Sequence, residues 1–232
     1  MKVVLRLDGR ESSFGSALLT HNERLADPLD PFSKALAEIT SKRKKTEADL
    51  LEIGHREFIG GLYTNGNGPC LPSWNILRCL QDGGRRHKRG KDVPRGVFPL
   101  FNQVDLNYDG PRDPEELWKD RETFSLRKGV GIGQSKVIRT RALFRNWGAE
   151  LPIEIDPTIF DLEVLATIWN DAGKYAGIGD GRPIYGRFRG TILSEQSWLR
   201  QVDGDTDALY KANQSSIRRV LKEDAKRQEQ HT

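Results

Sequence analysis

The sequence is poor in the residues that build redox, metal and covalent sites. Its 232 residues include two cysteines and four histidines. Cys70 and Cys79 stand nine apart with no histidine close by, a spacing that suits neither a zinc site nor a disulfide framework. It implies two reduced thiols beside a helix, as in a cytoplasmic protein. His21, His55, His87 and His231 lie far apart, and no Ser-His-Asp or Cys-His arrangement is marked. No apolar run approaches the roughly 18 residues of a membrane span, and the N-terminus has no apolar leader. No repeat of a solenoid period is visible. The expectation is a soluble chain with no membrane partner and no cofactor.

What is present is charge in patches. The net charge is +4 and the isoelectric point about 9.1, with a mean hydropathy of −0.63. The cations gather at 42–45, 85–95 and 136–145, and the acids at 113–122. Local patches of this kind, rather than the net value, decide attraction to phosphate.

Between the patches, the apolar periods define elements. In "KVVLRLDG" (2–9), Val3, Leu5 and Leu7 alternate with Val4, Arg6 and Asp8, a strand ending at a glycine turn. Pro28 and Pro31 break the segment that follows. A helix opens at Thr46 with Asp49 completing a capping box, carries Leu51, His55, Phe58 and Leu62 on one face, and stops at Gly60-Gly61. Ser73 is placed to cap a second helix with Ile76, Leu77 and Leu80 as its buried stripe, and Gly83-Gly84 is read as its stop. Residues 97–128 give strand fragments around an acidic insertion, and "GVGIGQSK" (129–136) a glycine-rich turn. From Val137 a strand alternates, with Arg139, Arg141 and Leu143 on one side and Ile138, Thr140, Ala142 and Phe144 on the other; residues 149–156 are its hairpin partner. Thr158 and Asp161 cap a helix striped with Leu165, Ile168, Trp169 and Ala172, and a last strand is expected at about 184–189. Residues 191–232 are polar and helix-competent, with Ile217, Val220 and Leu221 able to dock. Stripped of insertions the order is βαββαβ, an α+β fold of the ferredoxin-like or RRM type. The expected core is 1–190, with insertions at about 20–70 and 102–135, followed by a helical C-terminal extension at 191–232.

Candidate chemistry follows the charge. "GVGIGQSK" lacks the Gly-Lys-Ser/Thr of a phosphate-binding loop, and its glycines run G-x-G-x-G rather than G-x-G-x-x-G. In "GIGDGRP" (177–183), Gly177, Gly179 and Gly181 let the backbone approach a phosphodiester, which Arg182 and Arg187 are suited to hold; a helix cap followed by a turn is the rival reading. His21 with Asp27 and Asp30 raises a metal or acid-base site, although two Asp-Pro steps explain those aspartates as turn starters. The densest signal is Arg85, Arg86, Lys88, Arg89 and Lys91, tethered to the helix before them, with company from Lys136, Arg139 and Arg141. Such cations hold a nucleic-acid backbone without reading its sequence. Phe98, Trp147 and Tyr185 are stacking candidates, with burial the competing fate.

"PCLPSWNILRCLQDGG" resembles the first-helix motif of the CRISPR-associated RAMP superfamily, with Pro72, Ser73, Leu77 and Arg78 in keeping and Trp74 and Asn75 departing from it. "GIGDGRPIYGRF" resembles that family's glycine-rich loop, and stands where the family has it, after the second helix. The resemblance implies the backbone-forming, RRM-like branch: a subunit that polymerises along guide RNA, with the insertions forming a thumb and a helical subdomain. It places Ser73, Arg78 and the Gly177–Gly181 loop near RNA; His21, Asn22 and Arg24 are further candidates for nucleic-acid contact. A divergent relative that coats another single strand fits the departures.

The sequence therefore leads to a non-enzymatic protein whose partners are RNA or single-stranded DNA, copies of itself and other effector-complex subunits. The alternatives are a metal-dependent nuclease using Asp27 or Asp30, and a structural protein whose basic patch meets an acidic partner.

Overall fold

The structure is a computed structural model that describes residues 1–10, 15–132, 135–203 and 217. In chain order its elements begin with β1 (Lys2–Asp8), β2 (Leu18–Thr20), a 3-10 turn (Glu23–Ala26), α1 (Pro31–Thr40), α2 (Glu47–Gly61), β3 (Thr64–Asn65), β4 (Gly68–Pro72) and α3 (Ser73–Arg86). There follow α4 (Val93–Gly96), β5 (Val97–Pro99), β6 (Gln103–Asp105), β7 (Asn107–Tyr108), α5 (Pro114–Lys119), α6 (Arg121–Phe124), β8 (Ser125–Ile132) and β9 (Ser135–Phe144). The chain continues through β10 (Trp147–Ile155), α7 (Leu162–Asp171), a π turn (Ala172–Ala176), β11 (Arg189–Ser194) and α8 (Glu195–Asp203). The fold is α+β with antiparallel sheets. No helix among the described residues is long and apolar enough to cross a membrane.

The main sheet has the order β11-β1-β10-β5, with β7 also on β10. Every pairing in it is antiparallel, from Lys2↔Glu154 to Asp8↔Gly148 along β1 and β10. Two smaller sheets, β2-β9-β8 and β3-β4-β6, flank it. Val3, Leu5 and Leu7 turn to the large core with Ile76 and Leu80 of α3 and Leu165 and Ile168 of α7.

The opposite side of β1 is not a solvated face. Val4 is fully buried under Trp198 of α8 and Ile217. Arg6 donates from Nε and Nη2 to Glu150 Oε1 at 2.8 and 2.6 Å, and Trp198 Nε1 donates to Glu150 Oε2 at 3.0 Å. The carboxylate, wholly removed from solvent, is thus fully partnered. Val220 and Leu221 lie outside the described residues.

Other local expectations are met or corrected. Thr46 and Asp49 form the reciprocal capping box at α2. On that helix Phe58 is buried, but Leu51 stays half exposed. Ser73 does not cap α3: Pro72 holds that position, and Ser73 is the buried first residue of the helix. Gly83-Gly84 does not stop it. A Cβ at Gly83 would fall 2.5 Å from Ala172 Cβ, so that glycine permits close packing against the π turn and the helix runs on to Arg86. At α7 the cap is Asp161, accepting from Glu163 N–H at 2.8 Å, while Thr158 belongs to the preceding turn on Asp156. Residues 129–132 and 135–136 are hairpin strands rather than a turn, with β8 and β9 in register from Ser125↔Ala142 to Ile132↔Ser135; Gly133 and Gln134 lie outside the described residues. The hairpin partner of β9 is therefore β8 and not 149–156, which pairs with β1 and β5 in the main sheet. The last strand is β11 at 189–194 rather than 184–189. Residues 184–188 are drawn into the glycine loop, where Ile178 N–H donates to Gly186 O at 2.9 Å.

Candidate functional site

The glycine loop is bound to the strand β2 by its backbone. Asp180 N–H donates to Leu19 O and Gly186 N–H to Ala17 O, both at 2.8 Å. Gly177, Gly179, Gly181 and Gly186 all have positive φ. A Cβ at Gly179 would meet Leu19 O at 2.2 Å, and one at Gly186 would meet Ile178 O at 1.7 Å. The glycines at 177 and 181 face Tyr185 and Gly186. Their freedom is thus spent on the helix cap and on packing against protein. Side chains, not bare backbone, are what the loop offers to a ligand.

Those side chains meet α3 and β9. Arg141 Nε donates to Asp180 Oδ2 at 2.9 Å. Burial opposes the Asp180 charge, but the Arg141 bond and charge and the Gly181 N–H outweigh it and hold the carboxyl below its usual range. Burial, then the Arg141 guanidinium, pushes the half-buried His21 imidazole down, against the pull of Asp180, so it is neutral at pH 7. Its Nδ1 is buried without a partner. Asp82 on α3 gathers Arg85 at 2.7 Å, Arg182 at 3.4 Å and Arg78 at 3.5 Å.

Three hollows meet here. One of about 150 Å³ is lined by His21, Tyr63, Asn75, Arg78, Gly179, Asp180 and Arg182. His21 also borders a cleft of about 700 Å³ that contains Lys136, Arg139 and Arg141. Gly179, Asp180 and Arg182 also border a shallow hollow of about 520 Å³ that reaches Tyr175 and Gly181. Two aromatic rings stand open along α3: Trp74 in its first turn, one turn before Arg78, and Tyr175 against its last residue, with exposures of 47% and 43%. The Arg86 guanidinium lies over the Tyr175 ring, 4.0 Å from its centroid.

Of the residues singled out in the sequence, His21, Arg78, Gly179, Gly181 and Arg182 are brought together, with Arg85 and Arg86 at the margin. Lys136, Arg139 and Arg141 share the large cleft with His21, but Arg139 Nη1 is committed to the buried Glu57 at 2.6 Å. Others serve the fold. Asn22 caps the 3-10 turn and donates to Leu62 O at 3.0 Å, and Arg24 pairs with Asp30 at 3.3 Å. Arg89 turns inward, to Asp92, to Ile159 O at 2.6 Å and over the Phe160 ring. His87 pairs with Asp171 at 2.8 Å. The basic run is thus a folded corner, not a flexible arm, and leaves Lys88 and Lys91 exposed. Gly177 caps the π turn, and Arg187 has its Nε buried without a partner.

Of the stacking candidates, Trp147 is buried, donating to Ser16 O at 2.9 Å. Phe98 is exposed, but on the sheet-edge strand β5 opposite Glu154. Tyr185 is half-buried beneath the Lys128 ammonium. Trp74, Tyr175, Asp82 and Asp180 were missed. The available signal was Trp74 four residues before Arg78, on the helix face opposite Ile76 and Leu80.

The aspartates of the nuclease alternative are engaged locally: Asp27 Oδ1 accepts from Leu29 N–H at 2.8 Å and Asp30 Oδ1 from Phe32 N–H at 2.7 Å. Among the described residues no group of three His, Cys, Asp or Glu side chains is arranged to hold a metal ion. Both thiols are buried and free, and burial pushes Cys70 up to about 12 and Cys79 upward as well.

No known family model matches the chain, and no curated protein is significantly similar to it in sequence.

Proposed function

We propose that this chain binds a single nucleic-acid strand along the surface from Trp74 and Arg78, past Arg182, to Tyr175 and Arg86. The observation that carries the reading is two exposed rings, Trp74 at the start of α3 and Tyr175 against its end, with the guanidinium groups of Arg78, Arg182 and Arg86 along the same helix. Rings stack on bases of any identity, and guanidinium groups hold phosphates bidentately. Asp82 keeps Arg78 and Arg182 ordered, and the Tyr175 ring holds Arg86.

The sheet order β11-β1-β10-β5, with α3 and α7 packed on one side, supports a ferredoxin-like, RRM-type core. The helices α1 and α2 fall in the first expected insertion, and α5, α6 and β8 in the second. With the resemblance to the RAMP backbone subunits, this favours RNA, guide RNA in particular, as the ligand. It also favours a side-by-side assembly of copies, with other effector subunits as further partners. In this reading the role is coating rather than catalysis.

The test is titration of fluorescein-labelled single-stranded RNA and DNA at two salt concentrations. Three phosphate contacts give a salt slope of about −2. Trp74→Ala is expected to weaken binding by roughly 5- to 150-fold, the worth of one stacked base. Reversal of Arg78 and Arg182 to Glu is expected to abolish it. Undiminished affinity in both variants would remove this surface from the path. Arg89 is not suited to such reversal, because it braces Ile159 and Phe160.

A further inference from the structure

The large cleft differs in chemistry from the strand surface beside it. The helices α1 and α2 supply one wall, with Leu36, Leu50 and Ile53, and β9 supplies the other, with Val137 and Ile138. Among the described residues no Phe, Tyr or Trp lines its volume of about 700 Å³; its one ring is the His21 imidazole. It is aliphatic and yet open: Leu50, Val137 and Ile138 keep 48%, 36% and 54% of their surface exposed. Apolar surface left uncovered on two facing walls marks an interaction site.

The charge in the cleft says what covers it. Arg139 is neutralised by Glu57 at 2.6 Å and Arg141 by Asp180 at 2.9 Å. Lys45 and Lys136 also line it, and neither has a carboxylate partner among the described residues; Lys45 Nζ donates to the Lys42 carbonyl at 2.8 Å. Beyond the Leu50–Leu51 ridge the apolar surface continues into a hollow of about 290 Å³ formed by Leu50, Leu51, Gly54 and Trp118, edged by Arg121, Arg127 and the single acid Glu122. An apolar strip with an excess of cations along its edge complements one kind of partner.

We propose that the cleft between α1, α2 and β9 is a docking site for an acidic amphipathic helix of a partner protein, its aliphatic face between Leu50 and Ile138 and its carboxylates on Lys45 and Lys136. Helix-in-groove recognition uses such anchors at i, i+3, i+4 and i+7. A nucleic-acid strand fits less well, because bases seek rings to stack upon and the described lining offers only the His21 imidazole among aliphatic side chains. Since His21 borders both the cleft and the strand surface, the partner would sit beside the strand without occupying its path.

The experiment uses the full chain and two fluorescein-labelled synthetic helices, each with leucines along one face. One carries glutamates on the other face, and its control carries lysines there. The glutamate helix is expected to bind and the lysine helix not. Ile138→Asp, and separately Lys45→Glu with Lys136→Glu, are expected to weaken the glutamate helix by about tenfold or more. Both variants change exposed side chains and are expected to keep the wild-type melting temperature and affinity for a labelled single-stranded oligonucleotide. Trp74→Ala is expected to do the reverse, so the two surfaces fail independently. The proposal is overturned if wild-type protein ignores the glutamate helix, if both helices bind alike, or if both variants bind it as the wild type does. It is also overturned if the oligonucleotide displaces the helix and itself loses affinity in Ile138→Asp, which would give the cleft to the strand.

Discussion

Replacing Glu57 by alanine tests how the cleft and the strand beneath it are held. Glu57 is 2% exposed. Its Oε1 accepts from Arg139 Nη1 at 2.6 Å and its Oε2 from the Thr140 N–H at 2.7 Å. Thr140 is buried on β9, so the substitution strands its backbone donor at about 1–3 kcal/mol. The Arg139 side chain keeps 30% of its exposure and recovers water, so losing the ion pair adds only about 1 kcal/mol. The sum is about 2–4 kcal/mol, or roughly 4–16 °C in melting temperature for a chain of this size. The control is Glu52→Ala on the same helix, whose bond to Arg56 at 2.6 Å is only partly buried; its cost is about 0.5 kcal/mol or less. Denaturant titration of both variants measures the difference. Equal stabilities would refute the claim that Glu57 anchors β9 to α2.

Gly186→Ala places a Cβ 1.7 Å from Ile178 O at a φ of +73°, whereas Gly129→Ala meets nothing within 4 Å. Thermal melting is expected to show a loss of about 3 kcal/mol or more, or no folded protein, for the first, and no loss for the second. The depressed His21 pKa means that the unfolded chain takes up a proton below 6.5 before the folded chain does. This contribution to stability is therefore complete above pH 6.5 and declines as pH falls toward the lowered folded value. His21→Gln is expected to flatten the fall in denaturation midpoint between pH 7.5 and 5.5; an unchanged slope would contradict the burial of the imidazole. The depressed Asp180 carboxyl acts in a separate window, with its stabilisation present above 3.8 and lost at lower pH.

The elements whose signals are local were legible. The Thr46–Asp49 capping box, the alternation in β1 and the stripe on α7 each lie within one short segment. What was not legible depends on partners far away in the chain. Gly83-Gly84 reads as a helix stop until Ala172 arrives beside it. The glycines of the loop read as a phosphate cradle until the Leu19 and Ile178 carbonyls fill the space. Glu57 has the look of any surface residue of a polar helix, and only the arrival of β9 buries it. The same applies to the site. Its cations could be listed from charge density, but charge density cannot separate Arg89, which braces Ile159, from Arg86, which lies over Tyr175. The exposed rings lie outside the strands: Trp74 is on the outer face of α3 and Tyr175 in the π turn, whereas Trp147, in a strand, is buried.

The most direct measurement is ultraviolet cross-linking of the full chain to a labelled single-stranded RNA and, separately, DNA, with the attachment sites identified by mass spectrometry. Strand binding over the glycine loop predicts adducts at Trp74 and Tyr175 that disappear when Arg78 and Arg182 are reversed to Glu. Adducts confined to Phe98 on the sheet edge, or no adduct with either strand at low salt, would contradict it.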